Sequence, residues 1–351
     1  MGKLENTLNK ICKIDHTNQQ DLQQRLDRLT KPKDSLGRLE ELAKWYTAIR
    51  GEKGNSLQKK VVVVMAGDHG IAQEGVSAFP QAVTEQMIYN FIKGGAAINV
   101  LARQVKAEVV VVDMGVACDL KIKEGVIDKK IAYGTRNIAA GTAMTREEAI
   151  RALDAGIEVA EMLIEKGADI LATGDMGIGN TTPSSAIVAV FTNRKIEEVT
   201  GKGTGICNEG LKKKIALIEK ALELNKPDKT DPLDVLAKVG GFEIGGLAGL
   251  IIGAAANRVP VVIDGFISTA GALIATEIEP KIKNYLVSAH NSVEKGHKIM
   301  LERMGLRPLL DLELRLGEGT GAALAFGLVE AGVKILNEMA TFEDAGVSDK
   351  E

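Results

Sequence analysis

The sequence predicts an α/β fold. Glycine accounts for 38 of the 351 residues and aromatic residues for only 3%, which is typical of α/β proteins with many tight turns between strands and helices. Short apolar runs rich in valine, isoleucine and alanine alternate with longer stretches of helical spacing. Several of these runs end in an Asp, Ser or His near a glycine, which predicts a parallel sheet with polar residues gathered at one edge.

The first 50 residues differ from the rest because their Leu, Gln, Lys and Glu residues have helical spacing. Pro32 predicts a rigid turn, and Ser35 is predicted to cap a helix from Leu36 to Ile49. This segment is expected to form a small helical subdomain attached to the α/β body.

The body is predicted to contain five buried strands. They cover Lys60–Ala66, Glu108–Asp113, Asp169–Ala172, Val259–Asp264 and Asn284–Ser288. Helices are predicted at about Gln81–Lys93, Ala96–Gln104, Arg146–Lys166, Ala186–Phe191 and Glu209–Leu224. The polar residues at or after the strand ends are Asp68, Asp113, Asp175, Asp264 and Ser288. Because the carboxyl ends of parallel strands meet at one edge, these residues together predict a shared pocket.

A glycine-rich turn follows the third predicted strand. It contains Gly174, Gly177 and Gly179 and leads to the hydroxyl residues Thr181, Thr182, Ser184 and Ser185. Glycines let the backbone approach a ligand closely, and free N–H groups at a helix start face negative charge, so this turn predicts an anion site. Asp175 lies in the middle of the turn and would repel a phosphate. It is therefore expected to face a sugar hydroxyl or a cationic part of the ligand.

Several other functions are excluded by composition and motifs. The formal net charge is −3 and no basic patch dominates, so nucleic acid is not an expected partner. Neither a Walker phosphate loop nor a complete dinucleotide fingerprint is present, and no cofactor is expected. The four histidines and three cysteines lack the spacing of metal ligands, so no metal is expected.

The sequence also predicts the cellular compartment of the protein. The apolar stretch Ile244–Ala256 is too short and too interrupted by glycines to span a membrane, and the N-terminus lacks the apolar core of a signal peptide. The scattered cysteines fit a reducing compartment. The chain is expected to be a soluble cytoplasmic protein that does not bind a membrane.

One further acid has an unusual setting. Glu318 lies between Gly317 and Gly319, so that no neighbouring side chain shields it from a ligand. A catalytic carboxylate and an exposed loop acid both fit this pattern.

As a set, these motifs resemble the nicotinate-nucleotide–dimethylbenzimidazole phosphoribosyltransferase family, which makes the lower nucleotide loop of cobamides. The matching segments are Thr30–Glu40, Ala66–Ile71, Gly75–Met87, Asn90–Asn99, Gly174–Thr182, Gly203–Gly205, Asp264–Ser268 and Leu316–Gly321. The resemblance implies transfer of phosphoribose from nicotinate mononucleotide to a benzimidazole-type base. It also implies a homodimer and a Rossmann-like three-layer α/β/α domain at residues 56–304. Both chain ends, residues 1–55 and 305–351, are expected to form a smaller helical domain.

The resemblance also assigns roles to residues of this chain. Glu318 matches the general base of the family. Asp175 and Asp264 are expected near the ribose, with Ser288 and His290 bordering the nucleotide. The phosphate is expected to bind Gly177, Ile178, Gly179, Asn180, Thr181, Thr182 and Lys214, and the base is expected to bind Ser77, Phe79, Gln86 and Leu316. Many members carry glutamate where this chain has Asp175.

Two alternatives stay open at this stage. A homologous enzyme could use phenolic or purine bases, because a few side chains decide which ring fits. A nucleotide-binding sensor on the same fold would bind the ligand without releasing nicotinate.

Overall fold

A computed structural model describes residues 2–14, 19–51, 54, 56–122 and 124–348. The strands within these ranges are β1 (Lys60–Gly67), β2 (Ala107–Gly115), β3 (Val126–Asp128), β4 (Ile170–Met176), β5 (Val261–Ile263), β6 (Leu286–His290) and β7 (Pro308–Leu310). They form one sheet in the order β3-β2-β1-β4-β5-β6-β7, in which each neighbouring pair is parallel. The predicted α/β fold with a parallel sheet is confirmed.

Helices connect these strands. In chain order the α-helices of the described residues are α1 (Lys3–Leu8), α2 (Gln19–Asp27), α3 (Arg38–Arg50), α4 (Val83–Ile92), α5 (Ala97–Gln104), α6 (Arg146–Glu165), α7 (Thr181–Thr192), α8 (Ile196–Val199), α9 (Asn208–Asn225), α10 (Pro232–Val239), α11 (Phe242–Ala256), α12 (Phe266–Ile278), α13 (Lys295–Met304), α14 (Thr320–Glu338) and α15 (Phe342–Ala345). Short 3₁₀ segments occupy Gly70–Glu74 and Pro280–Tyr285. Helix α6 begins with a capping box, since Thr145 accepts a hydrogen bond from the backbone N–H of Glu148 and the Glu148 carboxylate accepts one from the backbone N–H of Thr145.

Two hydrophobic cores lie on opposite faces of the sheet. Strand β1 is buried along its whole length, and its side chains alternate between the two faces. Val61, Val63 and Met65 belong to one core, and Val62, Val64 and Ala66 belong to the other. Helices α6 and α11 pack together in the first core, and α14 packs on the sheet in the second. The sheet is therefore the middle of three layers, with its carboxyl edge left open for ligands.

Two of the corrections to the predicted elements concern short edge strands. Strands β3 and β7 have three residues each, too few for a recognisable apolar pattern, and neither was predicted. Strand β7 also begins with Pro308, which a sheet accepts at its edge. A third correction is that β4 continues to Met176, so Asp175 lies near the end of the strand rather than in the loop.

The prediction that Ser35 caps a helix is wrong. Helix α3 begins at Arg38 after Gly37, and no side chain caps it. The backbone takes positive φ angles at Asp34 and Gly37, which prevents a helix from starting earlier. Instead, the Glu40 carboxylate accepts the N–H of Leu36 at 3.1 Å.

The two chain ends meet beside the sheet. Leu26 and Leu29 share a small hydrophobic cluster with Ala43 and Leu336, and the N–H of Thr30 donates to the carbonyl of Ala340 at 3.0 Å. Strand β7, from the C-terminal part of the chain, belongs to the main sheet. The exact division of the chain into residues 1–55 with 305–351, and 56–304, stays a prediction.

Candidate active site

A cavity of about 690 Å³ opens at the carboxyl edge of the sheet. Residues from the end of β4, the start of α7 and the turn before α14 line it, together with residues of the loops near Phe79, Gly203 and Ser292. Of the residues predicted for the site, those that line the cavity are Phe79, Asp175, Gly177, Ile178, Asn180, Thr181, His290, Leu316 and Glu318. The structure thus brings together residues that are up to 239 positions apart in the sequence, from Phe79 to Glu318.

Asp175 lies at the end of β4 on the floor of the cavity. Its Oδ2 accepts a hydrogen bond from Nδ2 of Asn180 at 2.9 Å, whereas Oδ1 is buried and has no hydrogen-bond partner among the described residues. Burial raises the pKa of Asp175 well above its ordinary value, and the negative charges of Asp264 and Glu243 raise it further. The carboxyl group is therefore predisposed to hold a proton or to face a positive charge.

Helix α7 begins at Thr181, directly after the glycine-rich turn. Its first N–H groups carry the positive end of the helix dipole toward the cavity. On the other side of Thr181, the buried Lys214 of α9 donates to its Oγ1 at 2.6 Å. Burial lowers the pKa of Lys214 to about 8, against the opposing charge of Glu294. A helix start and a buried ammonium group together fit an anionic ligand.

Three of the residues predicted for the phosphate lie behind this surface. Lys214 does not line the cavity itself, but its Nζ donates to Thr181, which does. Gly179 takes a φ of 93°, a value that glycine accepts readily, and Thr182 is fully buried within α7. Neither Gly179 nor Thr182 lines the cavity, although both shape the turn that does.

Glu318 is presented by a left-handed turn. Gly317, Glu318 and Gly319 have φ values of 84°, 63° and 92°, and such a conformation is uncommon for a residue with a side chain. Glu318 is 6% exposed and its Oε2 accepts the N–H of Ile98 at 3.3 Å. Burial raises the pKa of Glu318, and the charge of Asp264 adds to this effect against the Ile98 hydrogen bond. A strained turn that holds a poorly solvated carboxylate at a cavity wall is an arrangement that suits a general base.

Asp264 lies directly behind this turn, outside the cavity lining. Its Oδ2 accepts the N–H of Gly319 at 3.2 Å and its Oδ1 accepts that of Ala322 at 2.9 Å. His290 does line the cavity, with its Nε2 3.7 Å from Oδ1 of Asp264. Burial raises the pKa of Asp264, while His290 and the backbone N–H groups oppose this rise.

Ser288 is not brought to the main cavity. It lies two residues before His290 on β6 and borders a separate cavity of about 210 Å³ with Arg38, Trp45 and Arg307. Its predicted contact with the nucleotide stays a prediction.

The residues predicted for the base lie at the mouth of the cavity. Phe79 and Leu316 are 54% and 57% exposed and line it. Ser77 lies beside this wall, where its hydroxyl is 3.1 Å from Oγ1 of Thr204. Gln86 is exposed on α4 and does not line the cavity, whereas its helix neighbour Met87 does.

Sequence reasoning missed five polar residues that line the cavity, namely Thr204, Ser292, Glu294, Glu313 and Arg315, and three of them hold its loops together. Glu294 is buried, and its Oε1 accepts the N–H of Gly203 at 3.0 Å. Arg315 donates to the carbonyl of Gly203 at 3.0 Å, and Thr204 accepts the N–H of Ala78 at 2.9 Å. The segment at 203–204 therefore joins three loops around the mouth. Its glycine-rich pattern, Gly201 to Gly205, was the signal available in the sequence.

Neither a metal cluster nor a membrane helix is present in the described ranges. No group of three or more His, Cys, Asp or Glu side chains in these ranges is arranged to hold a metal ion. None of the helices described is long and apolar enough to cross a membrane.

Known proteins match almost the whole chain. The sequence model of the family described as "Phosphoribosyltransferase" matches residues 11–347. Relatives named nicotinate-nucleotide–dimethylbenzimidazole phosphoribosyltransferase include one from Citrifermentans bemidjiense, 58% identical over 348 residues and covering 99% of each chain. Another, from Geobacter sulfurreducens, is 58% identical over 349 residues, again with 99% of each chain covered. The crystal structure of the enzyme of this name from Thermus thermophilus superposes with a TM-score of 0.88 at 46% identity, covering 94% of this chain and 98% of that one.

The fold, the site and these matches define the chain as a phosphoribosyltransferase. It belongs to the nicotinate-nucleotide–dimethylbenzimidazole phosphoribosyltransferase family, as its motifs predicted. Members of this family are pentosyltransferases, so the alternative of a non-catalytic sensor has no support.

Proposed function

We propose that this enzyme transfers the 5-phosphoribosyl group of nicotinate mononucleotide to 5,6-dimethylbenzimidazole, giving α-ribazole 5′-phosphate and nicotinate for the nucleotide loop of cobalamin. The names of the relatives support the reaction. The observation that carries it in this chain is Glu318, a buried carboxylate presented by a left-handed turn at the wall of the cavity. The cavity also has two chemically different regions. The helix start suits the anionic phosphate of a phosphorylated sugar, and the apolar mouth suits an aromatic base.

The chemistry is a displacement at C1′ of the ribose. One ring nitrogen of the base forms a bond to C1′ as the bond from C1′ to nicotinate breaks. The electron pair of the broken bond returns to the pyridinium nitrogen, which leaves as a neutral ring nitrogen. The other nitrogen of the base loses its proton to Glu318. Because burial raises the pKa of Glu318, it is a stronger base than an exposed glutamate, and such proton transfer contributes about 10²–10⁴-fold to a rate.

The remaining cavity residues are assigned to binding and charge stabilisation. Positive charge builds on the ribose as nicotinate leaves, and the buried Asp175 is proposed to face it. The turn from Gly177 to Thr182, with Lys214 behind Thr181, is proposed to hold the 5′-phosphate. Asp264, Ser288 and His290 are proposed to border the nucleotide.

The base is proposed to bind at the mouth of the cavity. Two half-exposed apolar side chains, Phe79 and Leu316, provide surfaces that suit a flat aromatic ring. Ser77 and Gln86 are proposed as polar neighbours that influence which ring fits. A panel of dimethylbenzimidazole, adenine and phenol, with products identified by mass spectrometry, measures this preference. A product formed only with phenol or adenine would replace dimethylbenzimidazole as the proposed acceptor.

The substitution Glu318→Gln tests the assignment of the base. It keeps the size of the side chain and removes its ability to accept the proton, so we expect nicotinate release to fall by about 10²–10⁴-fold. Binding of nicotinate mononucleotide, measured by calorimetry, is expected to persist. Glu338→Gln, at the exposed far end of α14, serves as the matched control. Near-normal turnover in Glu318→Gln would overturn the assignment.

The enzyme is further proposed to act as a cytoplasmic homodimer with the two domains predicted from its sequence. The meeting of the chain ends through Thr30 and Ala340 supports a terminal domain. Analytical ultracentrifugation measures the oligomeric state, and a monomeric mass at working concentration would contradict the dimer.

A further inference from the structure

A fully buried histidine–glutamate pair lies beneath the cavity. His69 follows β1, and Glu243 lies in the first turn of α11. Nε2 of His69 is 2.7 Å from Oε1 of Glu243, and the two side chains are 1% and 0% exposed. A buried carboxylate without a partner is strongly destabilising, so the pairing of Glu243 with His69 is part of what stabilises the fold. Neither residue lines the cavity, and neither has a part in the proposed chemistry.

The charge state of the pair follows from its surroundings. Burial lowers the pKa of His69, but the charge and hydrogen bond of Glu243, together with the charge of Asp68, outweigh burial and raise it overall. The surroundings therefore favour the imidazolium form more than water does, and its positive charge lies against Glu243. Without this balance, a buried negative charge would lie beneath a site proposed to receive a phosphate.

His69 lies next to the turn proposed to hold the phosphate. A Cβ placed on Gly177 would lie 3.4 Å from Nε2 of His69 and would overlap the carbonyl oxygen of Gly67. The end of β1 and the imidazole ring therefore bound the space on the side of Gly177 where a side chain would lie. Next to it, the N–H of Ile178 donates to Oγ1 of Thr84 at 3.1 Å.

From this arrangement we propose that His69 and Glu243 are positioning residues, which hold Gly177, and through it the neighbouring Ile178, in the geometry that receives the 5′-phosphate of nicotinate mononucleotide. The inference builds on the proposed function. The pair acts through the backbone it supports and does not touch the substrate. Its loss should therefore weaken the nucleotide site and leave the base site at the cavity mouth nearly unchanged.

The test compares His69→Asn, His69→Gln and Glu243→Gln with the wild-type enzyme. Displacing a binding turn by about 1 Å can cost about 10²-fold, so His69→Asn is expected to raise the Kd and KM for nicotinate mononucleotide by about 10- to 100-fold. The KM for dimethylbenzimidazole should stay near that of the wild type. Gln is long enough to donate to Glu243, and His69→Gln should recover part of the affinity. Glu243→Gln removes the charge but keeps a hydrogen-bond acceptor, and its effect should be smaller.

A matched control lies at the other end of the same strand. Lys60, the first residue of β1, forms an ion pair of 2.6 Å with Glu330 of α14. Glu330→Gln breaks a pair of similar length about 30 Å from His69. It should leave the affinity for nicotinate mononucleotide unchanged while lowering the melting temperature.

Calorimetry separates the two proposals, because it measures binding without turnover. A folded His69→Asn enzyme with wild-type Kd and KM for nicotinate mononucleotide would overturn the positioning role. If His69→Asn shows no cooperative unfolding, that variant is not folded and the other two variants serve as the test. Wild-type affinity in both His69→Gln and Glu243→Gln would then overturn the positioning role. A wild-type enzyme that binds nicotinate mononucleotide but releases no nicotinate with any base would overturn the proposed function alone.

Discussion

The backbone N–H of Gly319 donates to Oδ2 of Asp264 at 3.2 Å. This bond ties the residue after Glu318 to the end of β5, and a second bond from Ala322 to Oδ1, at 2.9 Å, fixes the first turn of α14 to the same carboxylate. The proposed base thus sits on a turn that one buried side chain anchors from behind. Asp264 was predicted to lie near the ribose, and its two hydrogen bonds give it a structural part in holding Glu318 as well.

Asp264→Ala should remove the anchor of the turn and leave the side chain of Glu318, the proposed base, in place in the sequence. The change leaves the N–H groups of Gly319 and Ala322 without their acceptor, at a cost of about 1–3 kcal/mol for each buried donor. We expect kcat to fall by about 10²-fold because Glu318 is no longer held in place. Steady-state assays of nicotinate release and urea unfolding measure the two effects.

Asp169→Ala is a matched control for that experiment. Asp169, just before β4, also accepts two backbone N–H groups, from Gln58 and Lys59, both at 2.9 Å. It lies at the opposite edge of the sheet from the cavity. Its replacement should lower stability with little change in kcat, and an equal loss of kcat in both variants would contradict a specific role for Asp264.

The pH profile should report the environment of Glu318. Its pKa is raised from the ordinary value of 4.5 by burial and by the charge of Asp264. A general base acts in its deprotonated form, so kcat is expected to rise as the pH increases through this raised pKa. Asp264→Asn removes a negative charge, which should lower the pKa of Glu318 and move the acid limb of the kcat profile to lower pH. A limb that stays in place or moves to higher pH would contradict the coupling of the two carboxylates.

Gly174→Ala should force β4 away from the turn of Glu318. A Cβ at Gly174 would lie 2.5 Å from the carbonyl oxygen of Glu318 and 3.1 Å from the nitrogen of Gly319, and backbone atoms in such a position cannot move aside easily. We expect kcat to fall by about 10²-fold, measured with the nicotinate-release assay. Gly327→Ala, in the middle of α14 with open space around its Cα, should keep full activity and gain about 0.5–1 kcal/mol of stability. Full activity of Gly174→Ala would show that this contact is dispensable.

The predictable part of the fold came from patterns that are local in sequence. The run Lys60–Ala66 is almost wholly apolar, and the observed β1 covers it and one further residue. The order of the strands in the sheet and the edge strand β7 depend on pairings between distant segments. A strand as short as Pro308–Leu310 is stabilised by its neighbour β6 and not by its own residues.

The same limit applies to the site. The glycine-rich turn and Glu318 are recognisable in the sequence because glycines flank them, and both line the cavity. Gln86 was predicted for the base, yet the cavity is lined by Val83 and Met87 of the same helix. Successive helix residues point about 100° apart, so an error of one position turns a side chain away from the cavity. Glu294 reaches the cavity through tertiary packing alone, which no local pattern reveals.

Binding of nicotinate mononucleotide should take up a proton through Lys214. Burial lowers the pKa of its ammonium group to about 8, so part of the free enzyme carries a neutral Lys214 at pH values near this pKa. A phosphate dianion bound at Thr181, whose hydroxyl lies 2.6 Å from Nζ, favours the charged form and raises this pKa. Binding should therefore be accompanied by proton uptake in that pH range, and affinity should decrease as the pH rises through it. Calorimetry in buffers of different ionisation enthalpy measures the number of protons directly.

Lys214→Met should abolish the proton uptake and weaken binding of nicotinate mononucleotide, whereas Lys213→Met, at the exposed neighbouring position of α9, should leave both as they are. Proton uptake that persists in Lys214→Met would assign it to another group and contradict the proposed place of the phosphate.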